Sequence, residues 1–183
     1  SPERVFLIRN AIDCDHLFDT TPSFSKSICL MKRKNYRDAM IVQNLLERSP
    51  SFSGWSFVRI HNVSHQDVIK TLTSCTLFLS FGHPEGFGLP VAEALATRTA
   101  VIGYSGLGGK ELFDIGKCFG VCWDIEFGDY HGFVSAFNHF NRLLSDSPSH
   151  IQNRLFNASR MVKHFYSIAE MKASISLLLR FLE

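Results

Sequence analysis

One segment constrains the fold of this chain more than any other: Glu85-Gly-Phe-Gly-Leu-Pro-Val-Ala-Glu93, which directly follows the apolar run 76–81. The run predicts a buried strand and the glycines predict a loop. Pro90 predicts the first position of a helix, because proline presets the helical dihedral angle there. Glycines let the backbone approach a ligand closely, and a helix start offers free N–H groups and a positive dipole end. The segment therefore predicts a phosphate site, with Glu85 and Glu93 available for sugar or ribose hydroxyls.

Short apolar runs alternate with amphipathic segments, which predicts a parallel α/β sheet. The predicted strands are residues 5–9, 27–31, 55–60, 76–81, 100–104 and 121–125. The predicted helices before residue 130 are 36–48, 64–74 with Ser64 as N-cap, and 90–97. Residues 15–25 are a polar connection, and from Tyr130 onward the chain is helical in about three segments. The predicted fold is a Rossmann-like doubly wound parallel sheet with a helical C-terminal tail.

Composition limits the class of protein. With 183 residues, 45% of them apolar, and 17 phenylalanines, the chain can bury the core of one domain. A net charge of +2 does not favour nucleic acid or a membrane surface. Five scattered cysteines favour reduced thiols in a cytoplasmic protein over a disulfide framework. The sequence has neither an apolar run of about eighteen residues nor a signal-peptide layout at its start.

The two glutamates and the Gly-Phe-Gly-Leu-Pro between them resemble the donor-site motif of retaining glycosyltransferases of the GT-B fold, family 4 in particular. Asn10-Ala-Ile-Asp13 is similar to the Asn-Gly-Ile-Asp that leads into that family's donor domain. Gly108-Gly109-Lys-Glu111-Leu112 is similar to its Gly-Gly-x-x-Glu segment, one residue shorter. The resemblance covers nearly the whole chain. It implies that residues 1–183 are one half of a GT-B fold, a single nucleotide-sugar (donor) binding domain without the N-terminal acceptor domain.

The resemblance also implies roles for the motif residues. Glu93 is expected to accept hydrogen bonds from the ribose hydroxyls of the nucleotide. Glu85 is expected near the transferred sugar, where a carboxylate stabilises positive charge on the anomeric carbon. Backbone N–H groups of Phe87, Gly88 and Leu89 are expected to hold the sugar and the β-phosphate. Two structural alternatives stay open: an exposed helix glutamate at position 93, and a loop cap at position 85.

The basic run Lys32-Arg33-Lys34 follows the predicted strand 27–31. Arginine and lysine can balance the charge of a departing diphosphate without a metal. The family usually has an arginine here and a lysine several residues later, often before glycine. This sequence has no such Lys-Gly pair, so Arg33 takes the arginine role and Lys34 the lysine role, with Arg37 a weaker candidate. A solvated basic face is the alternative.

Three histidines, His61, His65 and His83, lie in or next to two of the predicted loops. His61-Asn62-Val63 ends the strand 55–60, and the resemblance implies that main chain at Asn62 and Val63 holds the edge of the nucleobase. His83 is a candidate contact to the sugar or a phosphate, or else an ordinary loop histidine. His61 and His65 are four residues apart, but the strand-to-helix turn between them argues against a metal pair. We expect no metal and no cofactor, only a nucleotide diphosphate sugar as donor substrate.

The sequence therefore predicts the donor-binding domain of a retaining, hexosyltransferase-like glycosyltransferase, with little transfer by the isolated domain. Its expected partners are the nucleotide-sugar donor and a sugar or glycoconjugate acceptor held by the absent N-terminal domain. Peripheral membrane association is expected only through that absent part. Two alternatives stay open: a non-catalytic nucleotide-sugar binding module, and a sugar-nucleotide epimerase of the same architecture.

Overall fold

A parallel sheet forms the centre of the molecule. The structure, a computed structural model, describes residues 5–13 and 24–182. Within these ranges the strands are β1 (Ser27–Leu30), β2 (Ser56–Arg59), β3 (Leu77–Ser80), β4 (Ala100–Gly103) and β5 (Cys122–Asp124). They lie in the order β2-β1-β3-β4-β5, and every neighbouring pair is parallel. The chain first moves outward from β1 to β2 and then returns past β1 to β3, so its direction across the sheet reverses between β1 and β3.

Helices cover the sheet and form the C-terminal tail. They are α1 (Tyr36–Glu47), α2 (His65–Ser74), α3 (Leu89–Ala96), α4 (Lys110–Cys118), α5 (Tyr130–Asp146), α6 (Pro148–Tyr166) and α7 (Ile168–Leu182), with a short 3₁₀ helix at Pro50–Phe52. The alternation of strands and helices confirms the doubly wound parallel sheet. The three helices after residue 130 confirm the helical tail.

Burial follows the position of each strand in the sheet. Every residue of β1, β3 and β4 is buried, whereas the edge strand β2 is partly exposed. Strands of a parallel sheet that are covered on both faces read as continuous apolar runs, which is why these three were predictable. Phe133, Phe137 and Phe140 repeat at helical spacing on the buried face of α5, and Trp55 packs on Phe137 with ring centroids 5.2 Å apart.

The predicted strand at residues 5–9 is wrong. Residues 5–11 form no strand, and Val5 and Leu7 are 79% and 62% exposed. Among the described residues, the segment pairs with neither edge strand, since β2 pairs only with β1 and β5 only with β4. The segment instead reaches the junction of α6 and α7, where the Ile12 N–H donates to the Tyr166 carbonyl at 2.9 Å. Most of the predicted connection 15–25 lies outside the described residues.

Helix α4 was not predicted, because glycines precede it and Gly116 lies inside it. Glycine at this position allows the helix to pack closely on β5, because a Cβ at position 116 would lie 2.3 Å from Cβ of Cys122. Leu112 and Phe113 form the buried face of the helix. Helix α3 begins at Leu89, one residue before its predicted start, so Pro90 occupies the second position, where its missing N–H still costs no helical hydrogen bond.

In the part of the chain that the structure describes, no helix combines the length and apolar character needed to cross a membrane.

Gly103, the last residue of β4, is a point where the fold tolerates no side chain. Its φ is +151°, and a Cβ there would lie 2.0 Å from the Ser80 carbonyl oxygen on β3. We expect Gly103→Ala to lower the free energy of unfolding by about 3 kcal/mol or more, since backbone must move to relieve the overlap. Urea unfolding measures the change.

Gly86→Ala is the matched control, because a Cβ at Gly86 meets nothing within 4 Å. Its expected effect is below about 1 kcal/mol. Equal effects of the two substitutions would contradict the packing argument.

Candidate functional site

A cavity opens where the carboxyl ends of β1, β3 and β4 meet. It lies at the reversal between β1 and β3, the position at which open α/β sheets bind ligands. We call it the rim cavity. Its lining comes from β3, three loops and the start of α3: Met31, Arg33, Lys34, Phe78, Ser80, Phe81, Gly82, Glu85, Gly88, Pro90, Val91, Tyr104 and Ser105. Four of the predicted site residues, Arg33, Lys34, Glu85 and Gly88, are thus brought together.

The loop after β1 is tied to the loop after β3 by Lys34. Its Nζ lies 2.9 Å from Glu85 Oε2 and donates to the Pro84 carbonyl at 2.8 Å. Both side chains are only partly exposed, so this pair is less screened than one on the open surface. Among the described residues, no carboxylate lies within ion-pair distance of Arg33. The rim cavity therefore carries one neutralised pair and one additional cation.

Asn35 makes a second connection between the same loops, and the sequence analysis missed it. Its side-chain Nδ2 donates to the carbonyls of Phe81, at 2.9 Å, and His83, at 2.7 Å. Its backbone is left-handed, with φ 48° and ψ 48°, at the N-cap of α1. The available signal was an asparagine directly before a predicted helix, since asparagine tolerates this conformation better than most residues.

The motif loop rests directly on the backbone of the loop after β4. The Glu85 carbonyl accepts hydrogen bonds from the N–H groups of Leu107, at 3.1 Å, and Gly108, at 3.0 Å. A Cβ at Gly108 would lie 1.7 Å from the Gly86 carbonyl oxygen. The glycines of the loop after β4 therefore serve close packing against the motif loop.

The amides of the motif loop take no part in these contacts. None of the hydrogen bonds between described residues uses the N–H groups of Phe87, Gly88 or Leu89. Gly88 has a φ of +83° and is the N-cap of α3, so its amide and that of Leu89 lie at the positive end of the helix dipole. The loop can accept an anion at these amides without breaking a bond of the protein.

Glu93 lies apart from the rim cavity. It is 4% exposed, and its Oε1 lies 2.7 Å from Nε2 of His65, the first residue of α2. Burial raises the pKa of Glu93 above its ordinary value, and the hydrogen bond with His65 offsets part of that rise. The structure thus gives this carboxylate a histidine partner that the sequence did not indicate.

The remaining predicted site residues occupy other places. Phe87 and Leu89 line a second cavity, between the motif loop and residues 10–13, which Glu85 and Gly88 also line. His83 stacks on Phe127 with ring centroids 4.3 Å apart, beside a third cavity under the loop after β5. Asn62 and Val63 are exposed and line none of the three cavities.

The wall of the rim cavity is fixed by a buried carboxylate. Asp38, in the first turn of α1, accepts hydrogen bonds from Tyr104 at 2.9 Å and Tyr130 at 3.1 Å. Burial and the Asp38 carboxylate raise the pKa of Tyr104 well above its ordinary value, so its hydroxyl stays a donor.

No group of three or more histidine, cysteine, aspartate or glutamate side chains in residues 5–13 and 24–182 could hold a metal ion. Chemistry without a metal stays a prediction.

Comparison with known families gives a match for the middle of the chain. Residues 57–147 match the family described as Glycosyl transferases group 1. This part of the chain is thus similar to a group 1 glycosyltransferase domain. The chain is also similar to the "Alpha-1,6-glucosyltransferase" of Actinobacillus pleuropneumoniae serotype 7 (strain AP76), with 37% identity over 51 residues. Those residues are 28% of this chain and 16% of that protein.

Solved structures of glycosyltransferases share the fold. A mutant of S. aureus TarM, in complex with fondaparinux, alpha-GlcNAc-glycerol and UDP, matches with a TM-score of 0.73 and 14% identity. The match covers 96% of this chain and 38% of TarM. The C-terminal domain of the Glycosyl Transferase Group 1 Family Protein LpcC from Francisella tularensis matches with a TM-score of 0.57 and 17% identity, over 88% of this chain and 96% of that domain. These likenesses confirm a Rossmann-like domain of GT-B type.

Asn35 provides a test of how the rim is held together. We expect Asn35→Ala to lower the free energy of unfolding by about 2 kcal/mol, since two hydrogen bonds are lost and alanine disfavours a left-handed backbone. Thermal or urea unfolding measures the change. Asn35→Gly should cost less than Asn35→Ala, because glycine adopts the same dihedral angles freely. A glycine variant less stable than the alanine variant would contradict this account.

Proposed function

We propose that this domain binds the nucleotide-sugar donor of a retaining glycosyltransferase. The observation that carries the proposal is the convergence of Arg33, Lys34, Glu85 and the free amides of the motif loop at one edge of the sheet. Two cations and a helix start suit a diphosphate, and a carboxylate beside them suits a sugar. The family match supports sugar transfer as the reaction class.

The diphosphate is proposed to bind between the basic side chains and the start of α3. Arg33 has no carboxylate partner among the described residues, so its charge is available for a phosphate oxygen. The Gly88 and Leu89 amides add donors at the positive end of the α3 dipole. Lys34 is shared with Glu85, so an incoming phosphate would compete with that carboxylate for Nζ. Together these groups neutralise the negative charge that grows on the leaving diphosphate.

The sugar is proposed to lie beside Glu85, in contact with the carboxylate. In the transfer step the bond from the anomeric carbon to the diphosphate oxygen breaks, and the acceptor oxygen bonds to the same face. The acceptor proton passes to the departing phosphate. Glu85 stabilises the positive charge on the anomeric carbon, and Arg33 and Lys34 stabilise the leaving group. Retention of configuration and these roles are proposals that extend the family match.

The nucleoside is proposed to lie towards α2. Glu93 accepts hydrogen bonds from the ribose hydroxyls, and main chain at Asn62 and Val63 contacts the base. His83, which lines the third cavity, is a further candidate contact to sugar or phosphate. The acceptor is proposed to bind to a further domain that forms the opposite wall of a cleft and excludes water.

Titration calorimetry with a panel of nucleotide sugars and nucleoside diphosphates tests the proposal. UDP is the first probe, because the TarM structure was solved with it. We expect at least one nucleotide to bind, and Arg33→Ala to weaken that binding by about tenfold, since a charge-assisted hydrogen bond is lost. A folded chain that binds no member of the panel would contradict the proposal.

Arg37→Ala is the matched control for Arg33. Arg37 is also exposed and lies four residues further on, in the first turn of α1, but it does not line the rim cavity. We expect its substitution to change the affinity by less than about threefold. Equal losses for both arginines would point to a general charge effect rather than a site. Isomerised donor with no acceptor consumed would favour an epimerase instead.

A further inference from the structure

The carboxylate of Glu93 is held by one neighbour. Its side chain is 5% exposed, and its Oε1 lies 2.7 Å from Nε2 of His65, whose own side chain is 56% exposed. Among the described residues, no other side chain donates a hydrogen bond to Glu93. A buried carboxylate with one donor depends strongly on that donor for its orientation and its charge.

The start of helix α2 fixes the position of His65. It is the first residue of α2, directly after the N-cap Ser64, whose hydroxyl accepts a hydrogen bond from the Asp67 N–H at 3.2 Å. Helix α2 packs against α3, which carries Glu93. The imidazole therefore bridges two helices whose relative position is set by the core, and it joins the loop before α2 to the carboxylate on α3.

We infer that His65 is a positioning residue for Glu93: it fixes Oε1 so that the carboxylate presents its remaining lone pairs to the ribose hydroxyls of the donor nucleotide. This inference rests on the proposed function. A carboxylate has about four lone-pair positions, and the bond to His65 uses one of them. A cis-diol donates at most two hydrogen bonds, so His65 and the ribose can bind the same carboxylate together.

The arrangement also supplies selectivity for ribonucleotides. A buried carboxylate whose orientation is fixed before binding forms strong hydrogen bonds with a diol. A ligand without hydroxyls leaves the same carboxylate partly unpaired, which costs binding free energy. His65 acts through Glu93 and has no role of its own towards the phosphates or the sugar. Its effect should therefore depend on whether the ligand carries the two ribose hydroxyls.

Titration calorimetry on the 183-residue chain with UDP and 2′,3′-dideoxy-UDP tests the inference, with GDP and its dideoxy form if the guanosine series binds instead. We expect His65→Ala to weaken UDP binding about tenfold. It should change dideoxy-UDP binding by less than about twofold. His65→Gln should stay within about threefold of the wild type for UDP, because the glutamine amide nitrogen can take the place of Nε2 and donate to Oε1.

Two further variants sharpen the test. In Glu93→Gln the carboxylate is gone, so adding His65→Ala should weaken UDP binding far less than it does in the wild type. His150→Ala, which removes an exposed histidine near the start of α6, should leave the affinity unchanged. Thermal unfolding of each variant checks that it is folded.

Each other outcome counts against a stated part of the argument. If the wild type binds UDP and His65→Ala binds it equally well or more tightly, the inference fails while the proposed function stands. If His65→Ala weakens UDP and dideoxy-UDP equally, His65 merely ties α2 to α3. If the folded wild type binds neither nucleotide series, both the proposed function and the inference fall.

Discussion

The contact on which the site depends is between two backbones. The loop after β4 lies against the motif loop after β3, and the Glu85 carbonyl accepts two hydrogen bonds across that contact. Gly108 makes the approach possible, since a Cβ there would overlap the Gly86 carbonyl oxygen, and Gly103 allows the same closeness between β4 and β3 at Ser80. The N–H groups of Phe87, Gly88 and Leu89, by contrast, donate to no described residue.

The charges of the rim are placed by the sheet. Parallel strands end at one edge, so the basic residues after β1 and the acidic residue after β3 meet although 51 positions separate Lys34 from Glu85. Asn35 fixes the same two loops through main-chain carbonyls, which do not change with pH or salt. The ion pair and the amide contacts therefore hold the rim by two physically different means, of which only the ion pair weakens in high salt.

The sequence predicted the parts of the fold whose cause is local. Apolar runs gave the central strands, because burial on both faces removes polar residues from them, and Ser64 marked the start of α2 through its hydroxyl. The segment 5–9 has the same apolar character without a neighbouring strand, and pairing cannot be deduced from one segment alone. Helix α4 was missed because Gly116 lies inside it, and that glycine is required by the close approach of Cys122 on β5, which the sequence does not show. Four of the ten predicted site residues meet in the rim cavity because the topology joins their loops. The bond between His65 and Glu93 spans 28 positions and depends on how two helices pack, which no spacing reveals.

Glu85 and Gly88 lie between two cavities, the rim cavity on one side and the cavity beside residues 10–13 on the other. The segment from Glu85 to Gly88 therefore forms a wall that the two cavities share. If a ligand in the rim cavity draws Lys34 away from the Glu85 carboxylate, the second cavity faces a carboxylate with a different partner and a different charge balance. Thermodynamic linkage then requires the converse: an occupant of the second cavity must alter affinity in the first by the same factor. A substitution at Glu85 would therefore change the lining of both cavities at once.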